Sequence, residues 1–228
     1  MNLIETELPG VLIIEPRIFP DSRGHFFEMF QAERYQQNGL PAQFVQDNFS
    51  RSVKNVVRGL HYQLERPQGK LVCVTHGQVL DVIVDVRLGS ATFGKAITVE
   101  LNDQHFRQVY MPPGVAHGFC VLSEWADFIY KCTDYYYPAG ERGVYWNDPD
   151  LQIPWPIKNP ILSEKDTVFP CLKDIPENQL PPHSIVIPSS STVIPASSTV
   201  IPASSTVIPA KAGTYSASIT KDRKCHDN

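Results

Sequence analysis

Hydrophobic and polar residues alternate in short runs that recur about every ten residues along roughly the first 150 positions. In the clearest run, Leu80, Val82, Val84 and Val86 alternate with two aspartates, an isoleucine and an arginine. Period-two alternation of this kind predicts a strand with one apolar and one mostly polar face. The same signal predicts strands at residues 11–15, 24–28, 44–50, 56–63, 71–75, 79–87, 96–101, 108–111, 118–122, 127–133 and 143–146.

Turn residues separate most of these predicted strands. Residues 32–38 form the one predicted helix, which Gly39 and Pro41 end. Residues 76–78 have the sequence His-Gly-Gln, which predicts a hairpin turn between the two strands that flank it. The proline-rich residues 147–160 predict an irregular segment over the sheet, with order resuming at residues 162–166. The pattern as a whole predicts an all-β fold of the sandwich or barrel type, with few short helices.

The C-terminal part of the sequence differs in kind from the rest. The heptapeptide SSTVIPA occurs at residues 190–196, 197–203 and 204–210, and residues 183–189 are a degenerate copy. A proline in every unit interrupts helices and sheets, and the small polar side chains bury little apolar surface. We therefore predict one domain over residues 1–182 and a disordered low-complexity repeat tail over residues 183–228.

Composition restricts the functional classes that fit this chain. It has 228 residues, 42% of them hydrophobic, and a formal net charge of −4, which argues against a nucleic-acid-binding protein. The sequence contains no secretory signal and no apolar run near the roughly 18 residues that cross a bilayer. Its five cysteines are scattered and include no CxxC pair, which predicts a reduced, cytoplasmic protein without structural zinc.

Candidate chemistry concentrates around residues 58–70. An imidazole, His61, lies close in sequence to two cations, Arg58 and Lys70, beside a short loop that contains glycine and proline. Histidine exchanges protons near neutral pH, and cations stabilise an anionic substrate or a developing oxyanion. Arg58 and His61 are three residues apart and would face opposite sides of a regular strand, but Gly59 permits a bulge that turns both inward.

A series of motifs in fixed order resembles the dTDP-4-dehydrorhamnose 3,5-epimerase family over about residues 1–180. These motifs are FPDSRGHFFE (19–28), FVQDNFS (44–50), VRGLHYQ (57–63), QGKLV (68–72), PPGVAHGF (112–119), YK (130–131), YYY (135–137) and LSEKD (162–166). The resemblance implies a cupin-type double-stranded β-helix, or jelly-roll barrel, that forms a homodimer and needs no cofactor. It also implies inversion at C3 and C5 of dTDP-4-dehydro-6-deoxy-D-glucose, giving dTDP-4-dehydro-L-rhamnose for dTDP-rhamnose and cell-surface polysaccharide biosynthesis.

The resemblance assigns His61, Asp166 and Tyr130 to proton transfer, and the chemistry of Lys70 makes it the candidate for stabilising the oxyanion. His61 is the base that removes hydrogen from carbon beside the ketone, and Asp166 orients its ring and stabilises the imidazolium. Lys70 meets the negative charge on the C4 oxygen of the enolate. Tyr130 returns a proton to the opposite face, since a phenol stays protonated at neutral pH.

The resemblance also assigns residues that bind the nucleotide sugar. Arg23 and Arg58 hold the diphosphate, which guanidinium groups bind in bidentate fashion. Independently of the resemblance, Gln46 and Asn48 share one strand face, which makes them candidates for binding polar atoms of the sugar or the base. Tyr136 is the tyrosine that stacks on thymine, chosen from the YYY run by alignment. The remaining positions that match family binding residues are Phe26, Glu28, Glu141 and Lys165.

His117 follows a turn where metal-binding cupins place a ligand histidine. Their other ligands include a His-x-His pair, but here the corresponding residues are His61, Tyr62 and Gln63, so the second histidine is missing. A transition metal needs three or four nitrogen or oxygen ligands. We therefore predict no metal and place His117 beside the substrate phosphate or His61.

Three alternatives to the double epimerase stay open. A mono-epimerase acting at C3 or C5 alone would use the same base and oxyanion site. A metal-dependent cupin oxygenase or isomerase is disfavoured by the missing histidine. A non-catalytic sugar-nucleotide-binding module would need Arg23, Arg58 and Tyr136, but not His61, Tyr130 and Asp166 together.

Overall fold

The computed structural model describes residues 1–183, so the predicted tail lies outside the described residues apart from His183. The described strands are β1 (Asn2–Glu5), β2 (Leu12–Glu15), β3 (Ile18–Asp21), β4 (Gly24–Phe27), β5 (Gln46–Val53), β6 (Val57–Gln63), β7 (Lys70–His76), β8 (Gln78–Asp85), β9 (Ala96–Asn102), β10 (Gln108–Met111), β11 (Val115–Val121), β12 (Trp125–Cys132) and β13 (Glu141–Gly143). The described α-helix is α1 (Ala32–Gln37), and the 3-10 helices are Pro138–Gly140, Glu164–Thr167, Leu172–Asp174 and Glu177–Gln179.

Two antiparallel sheets pack face to face. The six-stranded sheet has the order β1-β2-β10-β7-β12-β5, and the five-stranded sheet has the order β13-β6-β11-β8-β9. Apolar side chains from the inner faces form the core, with Val72 and Phe128 from the first sheet and Ile83 and Phe119 from the second. Burying the inner face of each sheet removes apolar surface from water and drives this layered arrangement. The predicted all-β architecture with few short helices is confirmed.

Strand β8 alternates as predicted, but neither of its faces is exposed. Ile83 points into the core between the sheets, whereas Val82 and Val84 pack outside it against Leu151 and Leu172. The C-terminal segment thus covers the outer face of the five-stranded sheet as a further layer. Between positions 147 and 160 this segment forms no regular helix or strand, as the prolines predict.

The predicted hairpin at residues 76–78 is wrong. Strand β7 pairs with β10 and β12, whereas β8 pairs with β11 and β9 in the other sheet. Gly77 therefore turns the chain from one sheet to the other, with a φ of +78°. A Cβ atom there would lie 2.2 Å from the Trp125 carbonyl oxygen. The local sequence predicts a tight turn, but pairing with distant strands decides which sheet the next strand joins.

Several strands differ from the sequence prediction, and β1, β3 and β13 differ for identifiable reasons. Strands β1 and β3 carry no clear alternation, and each is mostly exposed and forms part of an antiparallel pair. Strand β13 lies two residues before its predicted start because it pairs with β6 through Glu141, Arg142 and Gly143. No helix in residues 1–183 is long and apolar enough to cross a membrane.

Candidate active site

A cavity of about 600 Å³ opens between the two sheets. Strands β5, β7 and β12 of the six-stranded sheet form one wall, and β6 and β11 of the other sheet face them. Strand β13 and the 3-10 helix Glu164–Thr167 complete the rim. The cavity collects these predicted site residues: Gln46, Asn48, Arg58, His61, Lys70, His117, Tyr130, Tyr136, Glu141, Lys165 and Asp166.

His61 and Asp166 form a hydrogen-bonded pair at this cavity. His61 Nε2 lies 2.6 Å from Asp166 Oδ1, with the imidazole side chain 21% exposed and the carboxylate 2% exposed. Ser163 caps the 3-10 helix that carries Asp166, and its hydroxyl accepts from the Asp166 amide. Burial acts to raise the pKa of Asp166, but the hydrogen bonds and charge of His61 outweigh it and hold the pKa below its usual value. The pair can therefore accept a proton on the ring while the carboxylate stays ionised.

A bulge in β6 brings Arg58 and His61 to the same cavity. His61 lies opposite His117 and Arg58 lies opposite Phe119, so β6 has one residue more than β11 between the two pairs. Gly59 makes this possible with a φ of +123°, and a Cβ atom there would lie 2.5 Å from the Gly118 Cα. The bulge predicted from Gly59 is confirmed, and it places a cation beside the imidazole.

Lys70 and Tyr130 face the cavity from the opposite sheet. The Lys70 ammonium lies 5.9 Å from the centre of the Tyr130 ring. Burial lowers the pKa of Lys70, although Cys132, Glu141 and Asp81 oppose this change. Burial raises the pKa of Tyr130, which keeps its phenol protonated at neutral pH.

His117 forms a second histidine–carboxylate pair, with Asp81. Its Nε2 lies 2.7 Å from Asp81 Oδ1, and the two side chains are 9% and 0% exposed. The ring stacks on Phe128 at 5.9 Å between centroids. Asp81 was not predicted as a site residue, because the alternation of its strand places it on the face expected to be mostly polar. Within residues 1–183, no group of three or more His, Cys, Asp or Glu side chains is arranged to hold a metal ion.

One end of the cavity carries a connected polar network. Glu141 accepts hydrogen bonds from the Tyr136 hydroxyl at 3.0 Å and from the Lys165 ammonium at 2.6 Å. Gln46 donates to Asn48 at 3.0 Å and accepts from the Tyr136 amide at 2.9 Å. The network holds an exposed aromatic ring beside hydrogen-bonding groups, which suits a planar base.

Three predicted binding residues do not reach the cavity of their own chain. The Arg23 side chain is 87% exposed and pairs with Asp21, and the Phe26 residue is 70% exposed. Glu28 follows the β3–β4 hairpin and pairs with Arg34 on α1. The structure thus places Arg23, Phe26 and Glu28 on a separate surface from the other site residues.

Two further side chains support the cavity without having been predicted. Gln63 donates to the Tyr135 carbonyl oxygen at 3.2 Å and accepts from the Tyr137 amide at 2.9 Å, so it fixes the tyrosine run. Phe169 packs edge-on against the His61 ring, with 5.7 Å between ring centroids. Neither contact has a local sequence signal, because each joins residues far apart in the chain.

Comparison with known proteins identifies the family. The family model described as dTDP-4-dehydrorhamnose 3,5-epimerase matches residues 5–174. The chain belongs to this family. It is 51% identical over 168 residues to the dTDP-4-dehydrorhamnose 3,5-epimerase of Shigella flexneri, covering 73% of this chain and 93% of that protein. The family predicted from the motifs is confirmed.

Relatives with solved structures share the fold. The dTDP-6-deoxy-D-glucose-3,5-epimerase of Legionella pneumophila, in complex with dTDP-4-keto-L-rhamnose, superposes with a TM-score of 0.77. It is 51% identical and covers 80% of this chain and 98% of that one. The chain is also similar to a dTDP-4-dehydrorhamnose 3-epimerase from Streptomyces niveus, with 40% identity over 73% of this chain and 81% of that protein. The cupin-type double-sheet fold predicted from the resemblance is confirmed.

Proposed function

We propose that this chain inverts C3 and C5 of dTDP-4-dehydro-6-deoxy-D-glucose, yielding dTDP-4-dehydro-L-rhamnose in dTDP-rhamnose biosynthesis. Proton removal from a carbon beside the C4 ketone forms an enolate, and proton return to the other face completes each inversion. The observation that carries the proposal is one cavity that holds the His61–Asp166 pair opposite Lys70 and Tyr130.

His61 acts as the base in this proposal. Its ring accepts the carbon-bound proton, and the C–H electron pair moves into the enolate, placing negative charge on the C4 oxygen. Asp166 stabilises the resulting imidazolium through its 2.6 Å contact. Lys70 supplies the cation for the C4 oxygen, because a donor already in place needs no reorganisation when charge develops.

Inversion requires a base and an acid on opposite faces of the sugar, and the two sheets supply this arrangement. His61 projects from β6 of the five-stranded sheet, whereas Tyr130 projects from β12 of the six-stranded sheet. A sugar ring between the sheets loses a proton to one wall and gains one from the other. The raised pKa of Tyr130 keeps the donor protonated until it is needed.

The polar end of the cavity binds the nucleotide. Tyr136 is the stacking surface for thymine, held by Glu141 and by the amide contact with Gln46. Arg58 contributes a guanidinium to the diphosphate, steadied by its 3.0 Å bond to Ser52. Lys165, Asn48 and His117 provide further polar groups that line the same cavity.

A mono-epimerase acting at C3 or C5 alone is the second candidate, because the same base and oxyanion site serve both reactions. Identity to the Streptomyces niveus 3-epimerase is 40%, against 51% to the Shigella flexneri 3,5-epimerase. This difference favours double epimerisation.

The exposed β3–β4 hairpin supports a homodimer. Arg23 and Phe26 protrude on this hairpin, and Phe49 on the edge strand β5 is also 63% exposed. In a dimer, the hairpin of one chain reaches the cavity of the other and supplies the missing diphosphate cation. Four free cysteines in residues 1–183 are compatible with the reduced cytoplasm, which we propose as the site of action.

Deuterium exchange tests the reaction. The chain is incubated with the dTDP-linked 4-keto sugar in heavy water, and C3 and C5 are followed by NMR. We expect deuterium at both carbons and a rhamno-configured product. His61→Asn is the matched variant and should bind dTDP normally while exchanging neither position. Exchange at one carbon would replace the proposal by mono-epimerisation, and full activity of His61→Asn would remove His61 as base.

Chain mixing tests the hairpin. Arg23→Ala and His61→Asn chains are each assayed alone and then after denaturation and joint refolding. If the hairpin serves the partner, half the dimers are mixed and contain one intact site, restoring about a quarter of wild-type activity. No restoration would mean that Arg23 serves its own chain or none.

A further inference from the structure

The His117–Asp81 pair lies next to the His61–Asp166 pair in the sheet. His117 is the direct β11 neighbour of His61, and β8 places Asp81 on the other side of β11, opposite Phe119. Asp81 is completely buried, and its Oδ1 contacts His117. Its second oxygen, Oδ2, is buried and has no hydrogen-bond partner among the described residues.

The charges around Asp81 come from both sheets. His117 on β11 and Lys70 on β7 interact with its carboxylate, and both oppose the rise in its pKa that burial causes. Three further groups interact electrostatically with Lys70. Cys132 on β12 and Glu141 on β13 raise its pKa, whereas Lys165 on the 3-10 helix lowers it. In residues 1–183 the Lys70 ammonium forms no ion pair with a carboxylate within 4.0 Å. Lys70 and His117, the hydrogen-bond partner of Asp81, line the same cavity from facing sheets.

We propose that Asp81 is a positioning residue for the epimerisation, holding His117 in one tautomer and supplying the buried counter-charge for the Lys70 ammonium. The role given to Lys70 rests on the proposed function, whereas the contact between Asp81 and His117 does not depend on it. An ionised Asp81 accepts a hydrogen bond from the Nε2–H group of His117. The other ring nitrogen, Nδ1, is then left for other contacts. Its charge also favours the protonated amine that must meet the enolate oxygen.

A purely structural role explains Asp81 poorly. The neighbouring inward residue on the same strand is Ile83, and the core around it is apolar. A buried carboxylate oxygen without a partner destabilises the folded state, whereas an apolar side chain of similar volume does not. The His117–Asp81 pair therefore lowers the stability of the folded state, and residues that do so are typical of functional sites.

The variant Asp81→Asn tests the proposal because it removes the charge and keeps the shape and a hydrogen-bonding oxygen. Lys70 titration is measured by its acylation rate as a function of pH, read by mass spectrometry in the full chain. We expect the midpoint to fall by about one pH unit, a tenfold weaker proton affinity. We also expect kcat to fall about tenfold, KM to change less than about threefold, and the alkaline limb of kcat to move to lower pH.

Asp127→Asn is the matched control. Asp127 is a largely buried carboxylate on β12 that pairs with Arg51 at 2.7 Å and does not line the cavity. This variant should leave the Lys70 midpoint unchanged. An unchanged midpoint in folded Asp81→Asn, or an equal shift in Asp127→Asn, would overturn the proposal. Acylation needs no substrate, so this outcome is separate from failure of the exchange experiment.

A measurement on the unaltered chain covers the case in which Asp81→Asn does not fold. The imidazole nitrogens of His117 are followed by ¹⁵N NMR over about pH 5 to 9, a range in which a free histidine titrates. We expect Nε2 to carry a proton throughout. A dominant tautomer with the proton on Nδ1 alone would contradict an ionised Asp81 as its partner.

Discussion

The two histidine–carboxylate pairs use the same chemical groups in opposite settings. His61 is 21% exposed at the cavity, and its partner arrives from a 3-10 helix 105 residues later. His117 is 9% exposed, and its partner lies 36 residues earlier on an adjoining strand. One pair bridges a sheet and a surface segment, whereas the other belongs entirely to the interior of one sheet.

This difference separates proton transfer from positioning. The pKa of Asp166 is lowered even though burial acts to raise it, so that carboxylate supports a charged imidazolium. Burial raises the pKa of Asp81, and the nearby His117 and Lys70 oppose this rise. His61 is the ring that substrate and solvent can reach, whereas the interior of the sheet encloses His117.

The largest expected effect comes from Asp166→Asn. The amide cannot stabilise the imidazolium and can turn its NH₂ group toward His61, so kcat should fall about 10³-fold or more. Substrate KM should change little, since Asp166 acts through the ring. Steady-state measurements of kcat and KM for Asp166→Asn and Asp81→Asn compare the roles of the two pairs. Equal losses in both variants would mean that the two pairs do not have different roles.

Tyr130→Phe should have the next largest effect. It should distinguish the contribution of the sheet that carries Tyr130 from that of the sheet that carries His61. Removing the phenol leaves the His61 pair intact, so proton exchange continues while correct inversion falls about 10²-fold. NMR of the products in heavy water distinguishes exchange from inversion. Unchanged product stereochemistry would place the acid elsewhere.

Gly59→Ala should disturb both pairs together, since Gly59 contacts Gly118 between the two histidine strands. The added Cβ atom would lie 2.5 Å from the Gly118 Cα and 2.8 Å from the His117 carbonyl oxygen, at a φ of +123°. We expect a loss of about 2–4 kcal/mol in the free energy of unfolding. Gly39→Ala, at a φ of +77° with open space around it, is the control for backbone strain alone. Equal losses in both variants would show that the close approach contributes nothing.

Asp85 provides a structural carboxylate on the same strand as Asp81. Burial acts to raise its pKa, but hydrogen bonds from Arg87, Thr92 and Ser90 lower it to about 2. Because this pKa lies below the ordinary aspartate value of 3.8, the contribution of Asp85 to stability is complete above pH 3.8 and is lost as pH falls toward 2. The contribution is about 2 kcal/mol, and urea titrations at several pH values should show a smaller loss over this range in Asp85→Asn. An unchanged acid response would contradict the lowered pKa.

The smallest expected effect is that of ending the chain after His183. Both histidine pairs lie before this point, and the His183 amide, which donates to the Leu88 carbonyl oxygen at 3.1 Å, is retained. The kcat, KM and thermal midpoint should stay within experimental error of those of the full chain. A large drop in the midpoint would show that residues 184–228 stabilise the domain.

Predictability differed between neighbouring features of the molecule. The bulge at Gly59 followed from the parity of Arg58 and His61, because both had to face one cavity across an odd spacing. The corner at Gly77 did not follow, because its local signal is the same for a hairpin and for a change of sheet. The partner of His117 was also missed, because Asp81 fits the alternation of its strand as a residue of the mostly polar face.

The amino-acid sequence by itself determined where most strands lie and which side chains carry the chemistry. Alternation follows from the two-residue repeat of a strand, and motifs contain the reactive side chains. Both signals can therefore be recognised within short stretches of sequence. Only the tertiary structure decided that Asp166 meets His61, that Asp81 meets His117, and that Tyr130 faces the base from another sheet. These pairings join residues far apart in sequence, and packing between sheets selects them through energies that no short segment contains.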